Sequence, residues 1–227
     1  MSHFSVMVMT NEDSLDLDEL LEPYDESLTR APWIEFTRQE AIDYARENFT
    51  KLADKSDKEC WAFMAEDCIT DKAGNIYSTS NPDAHWDWWQ VGGRWKNELR
   101  LKDGTRASSA EIKDIDFGLD QEEYERALRF WDVVVEHRPL EADEQKPFSL
   151  ENEEYYRKTY GDRESYARSQ ASFHTWAVIL PNGIWQECGH VGWFRTNDAR
   201  DWEEHFVERF ISGEDENTVV TIVDCHI

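Results

Sequence analysis

Phe173-His174-Thr175-Trp176-Ala177-Val178-Ile179-Leu180-Pro181-Asn182-Gly183-Ile184-Trp185-Gln186-Glu187 reads as strand, turn, strand. Phe173 to Leu180 is a short apolar run with a β-branched centre. Pro181-Asn182-Gly183 then combines a fixed φ, a residue that tolerates the left-handed region and one that favours it. Ile184 to Glu187 returns as the partner strand. Downstream, Thr196 or Asn197 caps a helix whose Trp202, Phe206, Phe210 and Ile211 fall on one face. Ser212-Gly213 stops it. Thr218 to Val223 is a strongly β-branched strand that leads into Asp224-Cys225-His226-Ile227. At the other end of the chain, Ser5 to Met9 reads as a buried strand. The order strand, strand, helix, strand, with one more strand at the N-terminus, predicts an α+β fold. Its sheet is mostly antiparallel with helices on one face, ferredoxin-like or a related sandwich. The chain is expected to form a single domain over 1–227, with a helical insertion at about 111–171.

The remaining elements follow from local signals. An acidic loop is expected from Asn11 to about Arg30. Thr37, with Glu40 three residues on, forms a capping box for a helix that presents Ala41, Ile42, Ala45, Phe49 and Leu52. Trp61 to Ile69 is apolar and reads equally as helix or strand. Asp71 to Asn75 is a turn, and Lys102-Asp103-Gly104-Thr105 is a hairpin or strand-end turn. Asp120 to His137 has helical spacing, with Tyr124, Leu128, Trp131 and Val135 on one stripe. Leu150 to Ala171 is a further helical stretch that Gly161 interrupts.

Composition sets limits on function. Among 227 residues, 13% are aromatic and eleven are Trp, which suits a folded chain with a ring-rich core rather than a disordered acidic one. Asp and Glu number 49 against 24 Lys and Arg, a formal net charge of −25. Such a surface repels nucleic acid and anionic membranes and favours basic partners. No apolar run reaches the roughly 18 residues that span a bilayer. The start of the chain lacks a basic, apolar leader, so a cytoplasmic location is expected, with Cys60, Cys68, Cys188 and Cys225 reduced. No Cys-x-x-Cys pair indicates a zinc ribbon. No cofactor is expected.

The densest chemistry lies in the middle. His85-Trp86-Asp87-Trp88-Trp89-Gln90-Val91-Gly92-Gly93-Arg94-Trp95 packs rings, carboxylate, imidazole and guanidinium together. Trp86 and Trp88 alternate with Asp87, as on a strand with one apolar face. Gly92-Gly93 lets the backbone turn or lets a ligand approach it. Arg94 offers a planar fork for phosphate or carboxylate. The block reads as a ligand or partner site, and equally as a packed strand, a tight turn and a structural ion pair. His190 and Trp193, flanked by Gly189 and Gly192, look like a second ring-walled loop of that site.

The two ends of the chain carry a second candidate. His3 precedes the first strand, and Asp224 and His226 lie at the end of the last. If those strands are neighbours, the imidazoles and the carboxylate converge, an arrangement suited to acid–base catalysis near neutral pH. His3, His226 and Asp224 are therefore the catalytic candidates if the protein is an enzyme. Cys188, His190, Cys225 and His226 contain zinc-type donors, but their spacing is not that of a zinc site, and no metal is expected.

Met1-Ser2-His3-Phe4, the Trp86-Asp87-Trp88-Trp89-x-x-Gly92-Gly93-Arg94-Trp95 block, Pro181-Asn182-Gly183-x-Trp185, Gly189-x-x-Gly192-Trp193 and the Val223-Asp224-Cys225-His226-Ile227 ending together resemble a group of uncharacterised bacteriophage and mobile-element proteins. Trp89 stands where a Tyr is expected in relatives. The resemblance implies a phage or prophage setting and supplies no mechanism. In that setting the expected function is a counter-defence or host-modulating binding protein. It would engage a basic, nucleic-acid-binding host defence protein, for instance in restriction or CRISPR systems, or capture a nucleotide. The alternative is an enzyme, hydrolase or phosphodiesterase in type, acting on a nucleotide or other phosphorylated small molecule through His3, His226 and Arg94.

Overall fold

The computed structural model describes residues 2–188 and 197–227. The chain divides into two compact units, Met1–Leu21 with Trp88–Ile227, and Glu22–Asp87. The division falls inside the tryptophan block, between Asp87 and Trp88. It does not fall at the expected insertion, whose helices belong to the larger unit.

The larger unit begins with β1 (His3–Thr10) and α1 (Leu17–Leu21). The segment expected to be a plain acidic loop thus contains a helical turn, which buries Leu20 and Leu21. The smaller unit then holds β2 (Trp33–Phe36), α2 (Arg38–Asn48), α3 (Asp57–Met64), β3 (Ile69–Thr70) and β4 (Ile76–Ser78), with the strands in the order β2-β4-β3. Thr37 and Glu40 form the capping box expected for α2, and Ser56 with Glu59 forms another for α3. Ile42, Ala45 and Leu52 pack with Cys60. Asn81, buried, ties the unit's ends together. Its Nδ2 donates to the carbonyls of Pro23 and Asp25 at 2.7 and 2.9 Å, and its Oδ1 accepts from Arg30 Nε at 3.1 Å. Trp86 is buried in this unit and bridges to Asp25 rather than lying on a strand with Trp88.

The chain re-enters the larger unit through β5 (Trp88–Val91), β6 (Leu99–Arg100), β7 (Arg106–Ala107) and β8 (Ser109–Glu111). The helices α4 (Gln121–Val134), α5 (Glu153–Tyr160) and α6 (Arg163–Ala171) follow. Gly161, at φ +81°, separates α5 from α6, as the interrupted pattern predicts. The hairpin strands β9 (Ala177–Ile179) and β10 (Trp185–Glu187) flank the Pro-Asn-Gly turn. Then come α7 (Asn197–Phe210) and β11 (Val219–His226).

The main sheet runs β10-β9-β1-β11-β5, with β8 also paired to β11. It is antiparallel except for β1 and β9, which run parallel side by side. A ferredoxin-like sheet splits its parallel strands with an antiparallel one between them. Here β9 sits directly against β1, so the fold is a related α+β arrangement and not that one. Met7, Met9, Val178, Val220 and Ile222 project from one face into the core formed with Trp202, Phe206, Phe210 and Ile211. Side chains alternate along a strand, so His3, Ser5, Asp224 and His226 lie on this same face, beyond the apolar part.

The helices α4 and α6 enclose a core of their own, with Ala127, Trp131 and Val135 against Tyr160, Tyr166 and Ala167. A bidentate pair fastens it: Arg163 Nε and Nη2 donate to the Asp132 carboxylate at 2.6 and 2.7 Å. The Arg163 hydrogen bonds hold the Asp132 carboxyl below the usual carboxylate range. A lowered folded-state pKa gives stability that is present above the unfolded value, about 3.9, and is lost as pH falls through the folded one. Both groups are partly exposed, so Asp132→Asn is expected to cost only about 1 kcal/mol at neutral pH. Urea unfolding should show the two proteins converging in stability below about pH 4. A gap that persists there would locate the effect elsewhere.

Candidate functional site

The full-length pairing of β1 with β11 sets His3 opposite His226 and Ser5 opposite Asp224. The ends of the chain therefore meet, as the sequence reading requires. Asp224 is 1% exposed. A carboxylate that deep needs donors, and it has one on each oxygen. His3 Nδ1 lies 2.8 Å from Oδ1, and the backbone N–H of Arg94 donates to Oδ2 at 2.9 Å. The His226 ring stands 4.9 Å from the His3 ring at 72°, and Trp88, opposite His226 in the register, lies 6.3 Å from His3.

The Gly-Gly pair makes the second donor reachable. Gly93 has φ +50°, and a Cβ there would overlap the Asp224 side chain. Gly92 has φ +75°, and a Cβ there would come within 2.7 Å of Ser108 Oγ. The N–H of Gly92 donates to the Ile222 carbonyl at 2.8 Å, and that of Trp95 donates to the Gly92 carbonyl at 2.8 Å. The block thus folds as a tight turn against β11. Its close approach is to the protein's own carboxylate, and the N–H groups of Gly92 and Arg94 are consumed within the fold. The Arg94 side chain is exposed and forms no ion pair with a described residue. The structural ion pair read as an alternative from the sequence is therefore not present among the described residues.

His3 opens on a cleft of about 400 Å³ walled by Ser5, Trp95, His174, Trp176 and Trp202, with Glu98 and Glu203 as its carboxylates. Ser5 Oγ accepts the Trp176 N–H at 3.2 Å, and Ser169 donates to the buried Glu203. With Nδ1 engaged by Asp224, His3 keeps Nε2 for an incoming group. A histidine so oriented accepts or delivers a proton at a fixed place.

Other sequence candidates fall elsewhere. Cys225 points to the opposite face of β11, and burial pushes its thiol up to about 12. No group of His, Cys, Asp and Glu suited to a metal occurs among the described residues. Trp88 and Trp89 lie on β5, with Trp88 exposed, and Gly92, Gly93, Arg94 and Trp95 form the turn beside Asp224. His85, Trp86 and Asp87 belong to the smaller unit, where His85 packs 5.6 Å from Tyr24. His190 and Trp193 lie outside the described residues. Sequence reasoning missed Ser5 and His174. Ser5 had a signal, as a polar residue inside an otherwise apolar strand; His174 had none. No helix among the described residues is long and apolar enough to cross a membrane.

Comparison with protein-family models, curated proteins and solved structures finds no match to this chain.

Gly93→Ala is expected to cost roughly 2–5 kcal/mol, combining left-handed strain with overlap on a buried carboxylate. Arg94→Ala keeps the backbone donor and removes only an exposed side chain, so it should change stability by less than about 0.5 kcal/mol. Chemical denaturation of both variants tests this. Equal losses would mean that the Arg94 side chain holds the turn as much as the close backbone approach does.

Proposed function

We propose that the protein is an acid–base enzyme acting on a small polar molecule at the His3 end of the main sheet. The observation that carries this reading is a buried Asp224 that fixes His3 by Nδ1, with His226 beside it and a cleft in front. In this reading His3 Nε2 removes a proton from water or a substrate hydroxyl. His226, as imidazolium, returns one to the leaving group. Asp224 orients His3 and balances the imidazolium that forms on it. The proposed substrate class is a nucleotide or other phosphorylated molecule, with the exposed Arg94 guanidinium, which forms no ion pair with a described residue, as the phosphate partner.

A second reading rests on the net charge of −25. It makes the protein a binding factor for a basic surface. In a bacteriophage setting the target would be a host defence or nucleic-acid-binding protein. Association would then weaken steeply with salt, because the attraction is screened.

Phosphorus NMR of the purified protein with mononucleotides, dinucleotides and cyclic nucleotides separates the two. The enzyme reading expects turnover that His3→Gln lowers by about 100-fold or more, the usual scale of a general acid–base group. Arg94→Ala should raise KM more than it lowers kcat and barely move the melting temperature, whereas His3→Gln removes a donor from buried Asp224, so its turnover is read at a temperature where circular dichroism shows it folded. No turnover of any substrate would remove the enzyme reading and leave the binding factor.

A further inference from the structure

A cavity of about 590 Å³, separate from the His3 cleft, lies between the segment 145–148 and the helices α4 and α6. Its apolar wall is Ala127, Phe130, Tyr166 and Pro147. Its charged residues are Arg126, Arg129 and Lys146 against one carboxylate, Glu123. On a chain of net charge −25 that local sign is unexpected. The His3 cleft carries Glu98 and Glu203 with no Lys or Arg among its described lining residues. A third cleft sets Arg100, Arg106 and Arg126 against Glu98, Asp116, Asp120 and Glu123.

The cations are only partly committed to the fold. Arg126 pairs with Glu123 one turn earlier. Arg129 reaches Glu144 at 3.9 Å, but that oxygen already accepts from Arg138 at 2.7 Å. Lys146 is exposed and forms no ion pair with a described residue. Beside it Phe148 lines the cavity and is nevertheless 81% exposed. Phe148 contributes little to the core, and a ring stacked on it would remove its apolar surface from water.

We infer that this cavity binds a small molecule carrying both an aromatic ring and an anionic group, the chemistry of a nucleotide. The ring stacks against Phe148 and the wall around Phe130, since a π-face needs no specific partner. The anion meets Lys146 and Arg129 at the rim through charge-assisted hydrogen bonds. The site shares Gln170 with the lining of the His3 cleft and none of the proposed catalytic residues, so the two are tested separately.

Isothermal titration at low ionic strength with AMP, adenosine, inorganic phosphate and anilinonaphthalene sulfonate tests the inference. AMP or the sulfonate should bind, with adenosine and phosphate alone weaker by roughly tenfold, because each lacks one of the two required groups. Lys146→Glu and Phe148→Ala should each weaken the binding by about tenfold, and rising salt should weaken it further. Both positions are exposed, so folding is not at risk, and circular dichroism checks it. His3→Gln should leave this binding unchanged, which separates it from the proposed enzyme site. The inference is overturned if neither ring anion binds at millimolar concentration, if binding survives both cavity substitutions, or if His3→Gln abolishes it.

Discussion

A buried carboxylate has to be met by donors, and at Asp224 that requirement organises the end of the main sheet. The imidazole of His3 comes from the first strand and the N–H of Arg94 from the turn after β5. The first donor requires β1 to pair with β11 in its observed register, and the second requires β5 to pair with β11 and residue 93 to lack a side chain. An uncompensated buried charge costs several kcal/mol, so this one side chain links both chain ends to the Gly-Gly turn. The unusual residue types of that turn are then explained locally. Gly92 and Gly93 let backbone reach a carboxylate and a serine at van der Waals limits, and Arg94 contributes its backbone.

The same arrangement places two imidazoles at one end of the main sheet. The face that carries Met7, Met9, Val220 and Ile222 into the core becomes polar at one end, where His3, Ser5, Asp224 and His226 replace apolar residues. The second imidazole stands 4.9 Å from the first, and a cleft lies in front of His3. Charge is also unevenly placed. Carboxylates dominate the chain as a whole, while the cavity under Phe148 collects three cations.

Much of the fold was legible because the signals were local. The Pro181-Asn182-Gly183 turn, the capping box at Thr37 and Glu40, the break at Gly161 and the β-branched final strand all took the form expected of them. Strand order was not legible, since nothing in a βαβ pattern of residues says whether the hairpin's first or second strand sits beside β1. Nor was the boundary between units, which falls between Asp87 and Trp88 within a run of aromatic residues and carries no Gly, Pro or Ser signal. The tryptophan block misled for the same reason: its alternation suggested one strand, whereas Trp86 is a core residue of one unit and Trp88 starts a strand of the other. In the site, the convergence of His3, Asp224 and His226 followed from pairing the terminal strands. His174 and Glu203 came to the cleft from elements whose placement only the tertiary fold determines.

The contact of the Asp224 carboxylate with His3 Nδ1 requires a proton on Nδ1 and leaves Nε2 for the cleft. Long-range nitrogen–proton correlation NMR of the imidazoles, with the His3 signals assigned by their loss in His3→Gln, reads this directly. Neutral His3 is expected to carry its proton on Nδ1 in the native protein and to return to a tautomer mixture, mainly Nε2–H, in Asp224→Ala. A native His3 already protonated on Nε2, or one unchanged by loss of the carboxylate, would show that Asp224 does not set the tautomer.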